Sequence, residues 1–548
     1  MASFNLVDQC WLPCEMPDGS VRDLGLAETL ARARDIRSIV DPSPLVTAAL
    51  YRLLLAILHR VVGPKTIGEW ERLWKAGTFP ADVLAYLDCW RSRFDLFSAE
   101  HPFYQTAGLG ERYCVSVSCL RQELASGEAI ALLNHDAVKE SLALDCPTAA
   151  RHLIAHQAFA LGGLVSRDAP EHKSANAAPL AKGAIVLVRG RSLFETLLLN
   201  LHRYNPEVND PFECEEDDCP AWERNEPTQP EDRYPLGYLD LLTWQSRRIR
   251  LFPDLESDGS LCVRRVVIMK GYQFPDGFTL SGRETMLSFS KRRNPEPGQD
   301  PFPPLAFRED RALWRDSLAL FQSVAGQRYR PKILDWLNEL ASEEAGQIIS
   351  RSTIIPLDLL GMSSDQKKVM FWRHERVSLN LNYLHDDDLL ATLGQALSLA
   401  EGTEEALSRS VSTLAQLLLF PDSGRPGARP LTRNQKDAIR KMVYGSKGNS
   451  GLAPERVYWA QLDIPFREML TRLPDDVVEE DGVKSYGGAE IPRWARTVRQ
   501  AAYSAFNAVA DGLDTSIRGR KAVAVAQNEL RARLNQQLAN VLAEGGKE

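Results

Sequence analysis

Two different hydrophobic periods divide this chain. From Asp386 almost to the end, apolar residues recur every three or four positions, whereas over residues 183–293 they come as short β-type runs such as Ala184-Ile185-Val186-Leu187-Val188. The first period lines a stripe on a helix; the second suits strands that pair with other strands. One core cannot hold both at this length, because single cores stop growing at roughly 250–300 residues and the chain has 548. The expectation is an α+β protein: a mixed N-terminal domain with sheet-rich insertions over 1–380, and a C-terminal four-helix bundle over 381–548.

Local signals fill in the elements. Phe4-Asn5-Leu6-Val7, the Asp18-Gly19 turn and Ser20-Val21-Arg22-Asp23-Leu24 read as a small hairpin. Asp41-Pro42-Ser43-Pro44 starts a helix through Val61, Pro80 opens another towards Trp90, and a third over 148–160 stops at Leu161-Gly162-Gly163. Further helices are expected near 193–201, 309–324 and 331–343, a strand at 263–269, and extended runs at 348–357 and 368–379 that bracket a loop at 361–366. In the C-terminal part the helical patterns cover 389–418, 431–444, 453–473 and 490–543.

Hydrophobic residues at 44% and charged residues at 25% argue against a disordered or membrane-embedded chain. The longest apolar stretch, 45–62, is interrupted by Arg52, His59 and Arg60, and the N-terminus lacks a signal-peptide layout, so the reading is cytoplasmic with no membrane. Nine cysteines without a CxxC pair argue against a disulfide framework. Cys214 and Cys219 lack a second pair and read as part of a solvated acidic loop, so no metal is expected.

The net charge of -8 hides strong local fields. Residues 205–232 hold eleven acids against Arg224 alone, while 243–293 carry ten Lys or Arg against five acids and 421–451 carry seven against two. Arg247, Arg248, Arg250, Arg264 and Arg265, with Lys291, Arg292 and Arg293, form a candidate strip for neutralising phosphates. Catalytic signatures fail: there is no GxxxxGK[ST], HExxH or GxSxG, and Gly445-Ser446-Lys447-Gly448 has the wrong spacing. His152 and His156, four apart on one helix, read as a structural pair. Asp386, Asp387 and Asp388 read as a helix cap, with a metal-dependent nuclease as the rival.

Six stretches in order, Phe4-Asn5-Leu6-Val7-Asp8 with Trp11-Leu12-Pro13, Glu100-His101-Pro102-Phe103-Tyr104-Gln105, Ala158-Phe159-Ala160-Leu161-Gly162-Gly163, Leu187-Val188-Arg189-Gly190, Pro220-Ala221-Trp222-Glu223 and Leu242-Thr243-Trp244-Gln245-Ser246-Arg247-Arg248, resemble the large subunit of the type I-E CRISPR surveillance complex Cascade, the CasA family. The resemblance covers nearly the whole chain. It implies a non-enzymatic subunit without a cofactor that joins CRISPR RNA and other Cascade subunits, reads a short motif in double-stranded DNA from the minor groove, opens the duplex and serves a helicase-nuclease effector. It maps a glycine loop to Gly162 and Gly163, a lysine finger to Lys270 and a glutamine wedge to Gln366. Asp365 lies beside the wedge, an acid near phosphate that leaves Ser364 or Lys367 as an alternative register.

By the same resemblance, Lys291, Arg292 and Arg293 guide the displaced strand, a path that Arg433, Lys436, Arg440 and Lys441 extend. A loop at Leu133-Asn134-His135 reaches the RNA-bearing backbone of the complex. Some relatives carry a cysteine cluster suited to zinc, where this chain has only Cys214 and Cys219. The residue types suit these roles, since the minor groove offers mostly acceptors to a lysine, and a wedge costs a few kcal/mol of unstacking that guide pairing then offsets. A guide-RNA-binding scaffold is the other alternative.

Overall fold

The computed structural model describes residues 2–544 apart from 123–141, 166–173, 216, 226, 228, 297–298, 310, 366–367, 425–428, 446–450, 481–482 and 514–515. The chain forms two compact units, Met1–Val377 and Ser378–Glu548, and its mixture of helices and small sheets is α+β.

In the first unit β1 (Leu12–Glu15) pairs antiparallel with β2 (Val21–Leu24) and β3 (Ser38–Ile39). The expected Asp18-Gly19 turn is present, with Gly19 at φ 82°, but its first strand is β1. Leu6 and Val7 are instead buried in the core. After α1 (Leu26–Ala31), the start signal is realised in α2 (Pro44–Val62): Ser43 Oγ accepts Val46 N–H, and Pro44 takes the first turn, where its missing donor costs nothing. This helix is long and apolar enough to cross a membrane by composition, yet sixteen of its nineteen residues are buried within the unit. After it comes α3 (Ile67–Ala76), and against it pack α4 (Ala81–Cys89) and α5 (Cys146–Phe159), the last capped by Asp145 on Thr148 N–H at 2.8 Å.

The main sheet is a long hairpin, whose neighbours are β4 (Val115–Ser116) and β5 (Leu144–Asp145), both on its second strand. Between these and the hairpin come β6 (Gly163–Leu164), β7 (Ser174–Ala175), β8 (Ile185–Val188), α6 (Leu193–Asn200), β9 (Glu231–Asp232) and α7 (Tyr238–Leu242). The hairpin itself is β10 (Arg247–Leu255) and β11 (Leu261–Lys270), followed by β12 (Tyr272–Gln273), which pairs parallel with β9. Then come β13 (Phe289–Ser290), α8 (Ser317–Phe321), β14 (Arg328–Tyr329) and α9 (Lys332–Leu340). The helix expected over 309–324 shrinks to α8 with a 3-10 turn before it.

The last sheet has the order β16-β15-β8, with β15 (Ile354–Asp365) and β16 (Lys368–Asn380). The loop expected at 361–366 is therefore mostly strand. Gly361 sits where an added Cβ would lie 2.7 Å from Gly183 O and against the Phe307 ring, so its glycine marks a close approach rather than a turn.

The second unit holds α10 (Asp387–Leu419), α11 (Arg433–Tyr444), α12 (Pro454–Arg472), a hairpin of β17 (Val477–Glu480) and β18 (Val483–Tyr486), α13 (Glu490–Asp511) and α14 (Ile517–Glu544). The long helices α10, α12, α13 and α14 pack into the bundle, and the shorter α11 lies on α10. The pattern expected as one helix over 490–543 is two, broken after Asp511 at Gly512. Aromatic side chains bury their bodies and spend their polar tips on helix carbonyls: Tyr458 Oη donates to Ala400 O at 2.8 Å and Trp494 Nε1 to Ala396 O at 2.8 Å.

Candidate nucleic-acid interface

Residues 245–247 are a crossing point in the first unit. Gln157 on α5 pins their main chain, its Oε1 accepting Arg247 N–H at 2.8 Å and its Nε2 donating to Arg247 O at 2.8 Å. Gly271 N–H and Tyr272 N–H donate to Ser246 O and Gln245 O. A Cβ on Gly271 would lie 2.5 Å from Gln245 O, so only glycine allows this approach.

Lys270, one residue earlier, pairs across the ladder with Arg247. Its main-chain oxygen accepts Arg248 Nε–H at 2.9 Å, and its Nζ stands 3.1 Å from Asp232 on β9, whose side chain is 61% exposed. The lysine is thus a charge at the end of a rigid ladder, held by one solvent-facing carboxylate.

Gly162 and Gly163 meet the same crossing point. Arg247 sends Nη2–H to Leu161 O at 2.9 Å and to Asn176 O at 2.8 Å. These carbonyls lie on the two legs of the β6–β7 hairpin, where Gly163 pairs with Ala175. The shape favours both glycines: Gly163 has φ 136°, and a Cβ on Gly162 would lie 3.0 Å from Ala177 N, a tight approach. The structure therefore brings Gly162, Gly163 and Lys270 around one arginine.

That arginine overturns a sequence expectation. Arg247 is 1% exposed and Arg248 is 7% exposed, so neither belongs to a phosphate-facing strip. Burial lowers the Arg247 pKa to about 10, which leaves it charged at neutral pH. Arg264 pairs with Glu256 and Arg265 with Glu111. Arg265 is exposed but paired, and Lys291, Arg292 and Arg293, which follow β13, are the exposed members with no carboxylate in ion-pair range among the described residues. The acidic segment is likewise not a solvated loop. Glu223 takes both Arg60 and Tyr86, Asp210 takes Arg203, and the buried Asp218 accepts the N–H groups of Leu239 and Asp240 at 2.9 Å.

The other mapped residues are distributed as follows. Gln366 and Lys367 lie outside the described residues, between β15, which ends at Asp365, and β16. Leu133, Asn134 and His135 also lie outside them. Arg433, Lys436, Arg440 and Lys441 are carried by α11 in the second unit, whose start is a capping box of Thr432 and Gln435. Asp386 caps α10: its Oδ1 accepts Asp388 N–H at 3.1 Å and Leu389 N–H at 3.0 Å, and its Oδ2 accepts the Tyr486 hydroxyl at 2.6 Å. His152 and His156 are buried on α5, desolvation pushes each down to about 3, and His156 Nδ1 meets Gln122 Nε2 at 2.8 Å. No three His, Cys, Asp or Glu side chains converge as a metal-ligand set among the described residues.

Residues 5–505 match the model of the family described as CRISPR-associated protein Cse1. The chain belongs to the Cse1 family. It is 32% identical over 541 residues to the CRISPR-associated protein CasA/Cse1 of Thermus thermophilus, a match covering 96% of this chain and 97% of that one. A crystal structure of CasA from Thermus thermophilus superposes with a TM-score of 0.76 at 29% identity, over 98% of this chain and 100% of that one. A chain of a structure named CRISPR RNA-guided surveillance complex shares the fold, with a TM-score of 0.69 at 21% identity over 97% and 100% of the two chains.

Within the Cse1 frame, two residues at this site escape a reading of the sequence. Asp232 belongs to a run of acids with nothing to mark it as the partner of Lys270, and only the parallel pairing of β9 with β12 brings it there. Arg247 carries a misleading signal: four arginines nearby make it look like one more surface cation.

Proposed function

We propose that this Cse1-family chain is a subunit of a CRISPR RNA-guided surveillance complex that recognises a short motif in double-stranded DNA from the minor groove and starts strand separation. It works in the cytoplasm, alongside CRISPR RNA and other Cascade subunits, and presents DNA to a helicase-nuclease. It cuts no bond itself. The glycine hairpin offers main chain to the base edges, Lys270 donates to the groove acceptors, and Gln366, with Asp365 beside it, wedges the first step beyond the motif. Lys291, Arg292, Arg293 and the α11 cations Arg433, Lys436, Arg440 and Lys441 supply phosphate contacts that carry no sequence information. Leu133 and Asn134 face the RNA-bearing backbone of the assembly.

The observation that carries this reading is the shared anchorage of Gly162, Gly163 and Lys270 at residues 245–247. Elements far apart in the chain are held as one rigid reader, which motif recognition requires and a loose basic surface does not. The test is R-loop formation by the complex reconstituted with Lys270→Ala or Gln366→Ala on matched duplex DNA. Each variant is expected to slow opening at least about tenfold, the scale of a lost base contact or a lost wedge. Wild-type opening by both would remove the mechanism.

A further inference from the structure

Arg247 has three side-chain hydrogen bonds and every one goes to a main-chain carbonyl: Nη1–H to Ser246 O at 2.8 Å, and Nη2–H to Leu161 O and Asn176 O. Among the described residues no carboxylate pairs with it. A buried guanidinium without a counter-ion is costly, because its desolvation is offset only by what its donors find. The side chain therefore does something that a smaller apolar residue in the same space would not.

The geometry shows what that is. One nitrogen, Nη2, uses its two hydrogens to bridge the two legs of the hairpin, immediately before Gly162 and immediately after Ala175. The backbone of the same residue is paired with Lys270. Gln273 completes the tie: its Oε1 accepts Asn176 N–H at 2.5 Å, and its Nε2 donates to Ser246 O at 3.2 Å. Main chain that must meet base edges has no side chain of its own to steer it, so its position is set by what holds it from behind. The planar fork of arginine can set two carbonyls at once, and the single ammonium of lysine holds them less rigidly.

We infer that Arg247 is a positioning residue, which fixes the Gly162-Gly163 main chain relative to Lys270 and so sets how sharply the DNA motif is discriminated. It touches no nucleic acid. The inference rests on the reading of Gly162, Gly163 and Lys270 as motif contacts, and it predicts that specificity can be lost while phosphate contacts stay intact.

The experiment uses the full chain in its reconstituted complex and duplex DNA with a matched target beside a randomised three-base-pair window. Selection gives the ratio of best to average window, and binding is repeated from 50 to 200 mM salt. Arg247→Lys is expected to reduce that ratio about tenfold, the scale of one lost base-pair preference, with the salt slope and the thermal midpoint of the free protein unchanged. Gln273→Leu, which severs the Asn176 N–H bond from the other side, is expected to reduce the ratio in the same direction and supplies the test where Arg247→Lys lowers the midpoint. An unchanged ratio in a folded Arg247→Lys protein, or in Gln273→Leu where it is needed, overturns the inference. So does a salt slope shallower by about 0.9, the mark of one lost phosphate contact. Lys270→Ala run in parallel separates the two levels: an unchanged ratio there removes the motif reading itself, whereas a reduced ratio there with a normal one in Arg247→Lys removes only the role of Arg247.

Discussion

The two units satisfy their buried polar groups in different ways. The first buries charge: Arg52 meets Glu284 at 2.8 Å with both side chains at most 3% exposed, Asp240 holds Arg224 and Arg233, and Arg247 spreads over three carbonyls. The second buries mainly leucine, alanine and aromatic rings; its buried acid among the described residues is Glu490, held by Arg472 and Arg493, and its deepest polar contacts are single hydroxyl or indole donors on helix carbonyls. Irregular main chain explains the difference. A bundle meets its own hydrogen-bond demand within each helix, whereas a unit of two-residue strands and long connections leaves carbonyls that side chains must claim. Rigid loops are what the proposed recognition surface needs, and the buried charges of the first unit hold its loops in place.

Removing one partner of the deepest pair attacks this contrast most strongly. Glu284→Ala strands Arg52 and is expected to destabilise the first unit by about 3–5 kcal/mol, leaving the second unit's transition in place by calorimetry; a loss under about 1 kcal/mol contradicts the account.

Acid is the next lever. Burial first, then neighbouring guanidinium groups, push His152 and His156 to about 3, and burial pushes His202 to about 4. Their unfolded forms take up protons near pH 6.5 and the native forms do not. Stability is therefore full above about pH 6.5 and declines as pH falls towards the native values, by up to about 1.4 kcal/mol per pH unit for each histidine. The second unit's one histidine, His385, is exposed. The first unit should unfold at a lower temperature from pH 6.5 to 5 while the second holds, and His156→Gln should flatten the decline.

On the second unit's surface, replacing Arg433, Lys436 and Arg440 together by alanine is expected to flatten the salt dependence of DNA binding by about 2.7, three contacts at about 0.9 each. Motif discrimination should not change, and a change would blur the division between reader and phosphate surface. Tyr458→Phe removes one donor from Ala400 O and should cost about 1 kcal/mol by denaturant titration, far less than Glu284→Ala. The smallest effect is expected at Asp232→Asn, which frees Lys270 from its exposed ion pair. DNA binding should tighten by up to about fivefold, and weaker binding would show that Asp232 aims the lysine rather than competing for it.

The helical half was legible because its signal is local. Leu389, Leu393, Leu397, Val411 and Leu414 repeat on one face, and all are buried in α10; Asp386 announced a cap and is one. The missed β17–β18 hairpin and the strand at 361–365 have no such repeat. Two-residue strands such as β9 and β12 exist only because each found the other. At the candidate site, the family resemblance mapped Gly162, Gly163 and Lys270, while Arg247 was misread, since a sequence records a charge but not the carbonyls that meet it.

The amino-acid order alone determined where the capped helices α2, α5 and α10 begin and which family the chain resembles, because caps and short motifs act over a few neighbouring residues. Only the tertiary structure decided that Leu161, Asn176, Ser246 and Lys270 come together at Arg247. Contacts spanning up to 86 residues form when burial forces separate segments to share their hydrogen bonds, and no local pattern encodes which segments those are.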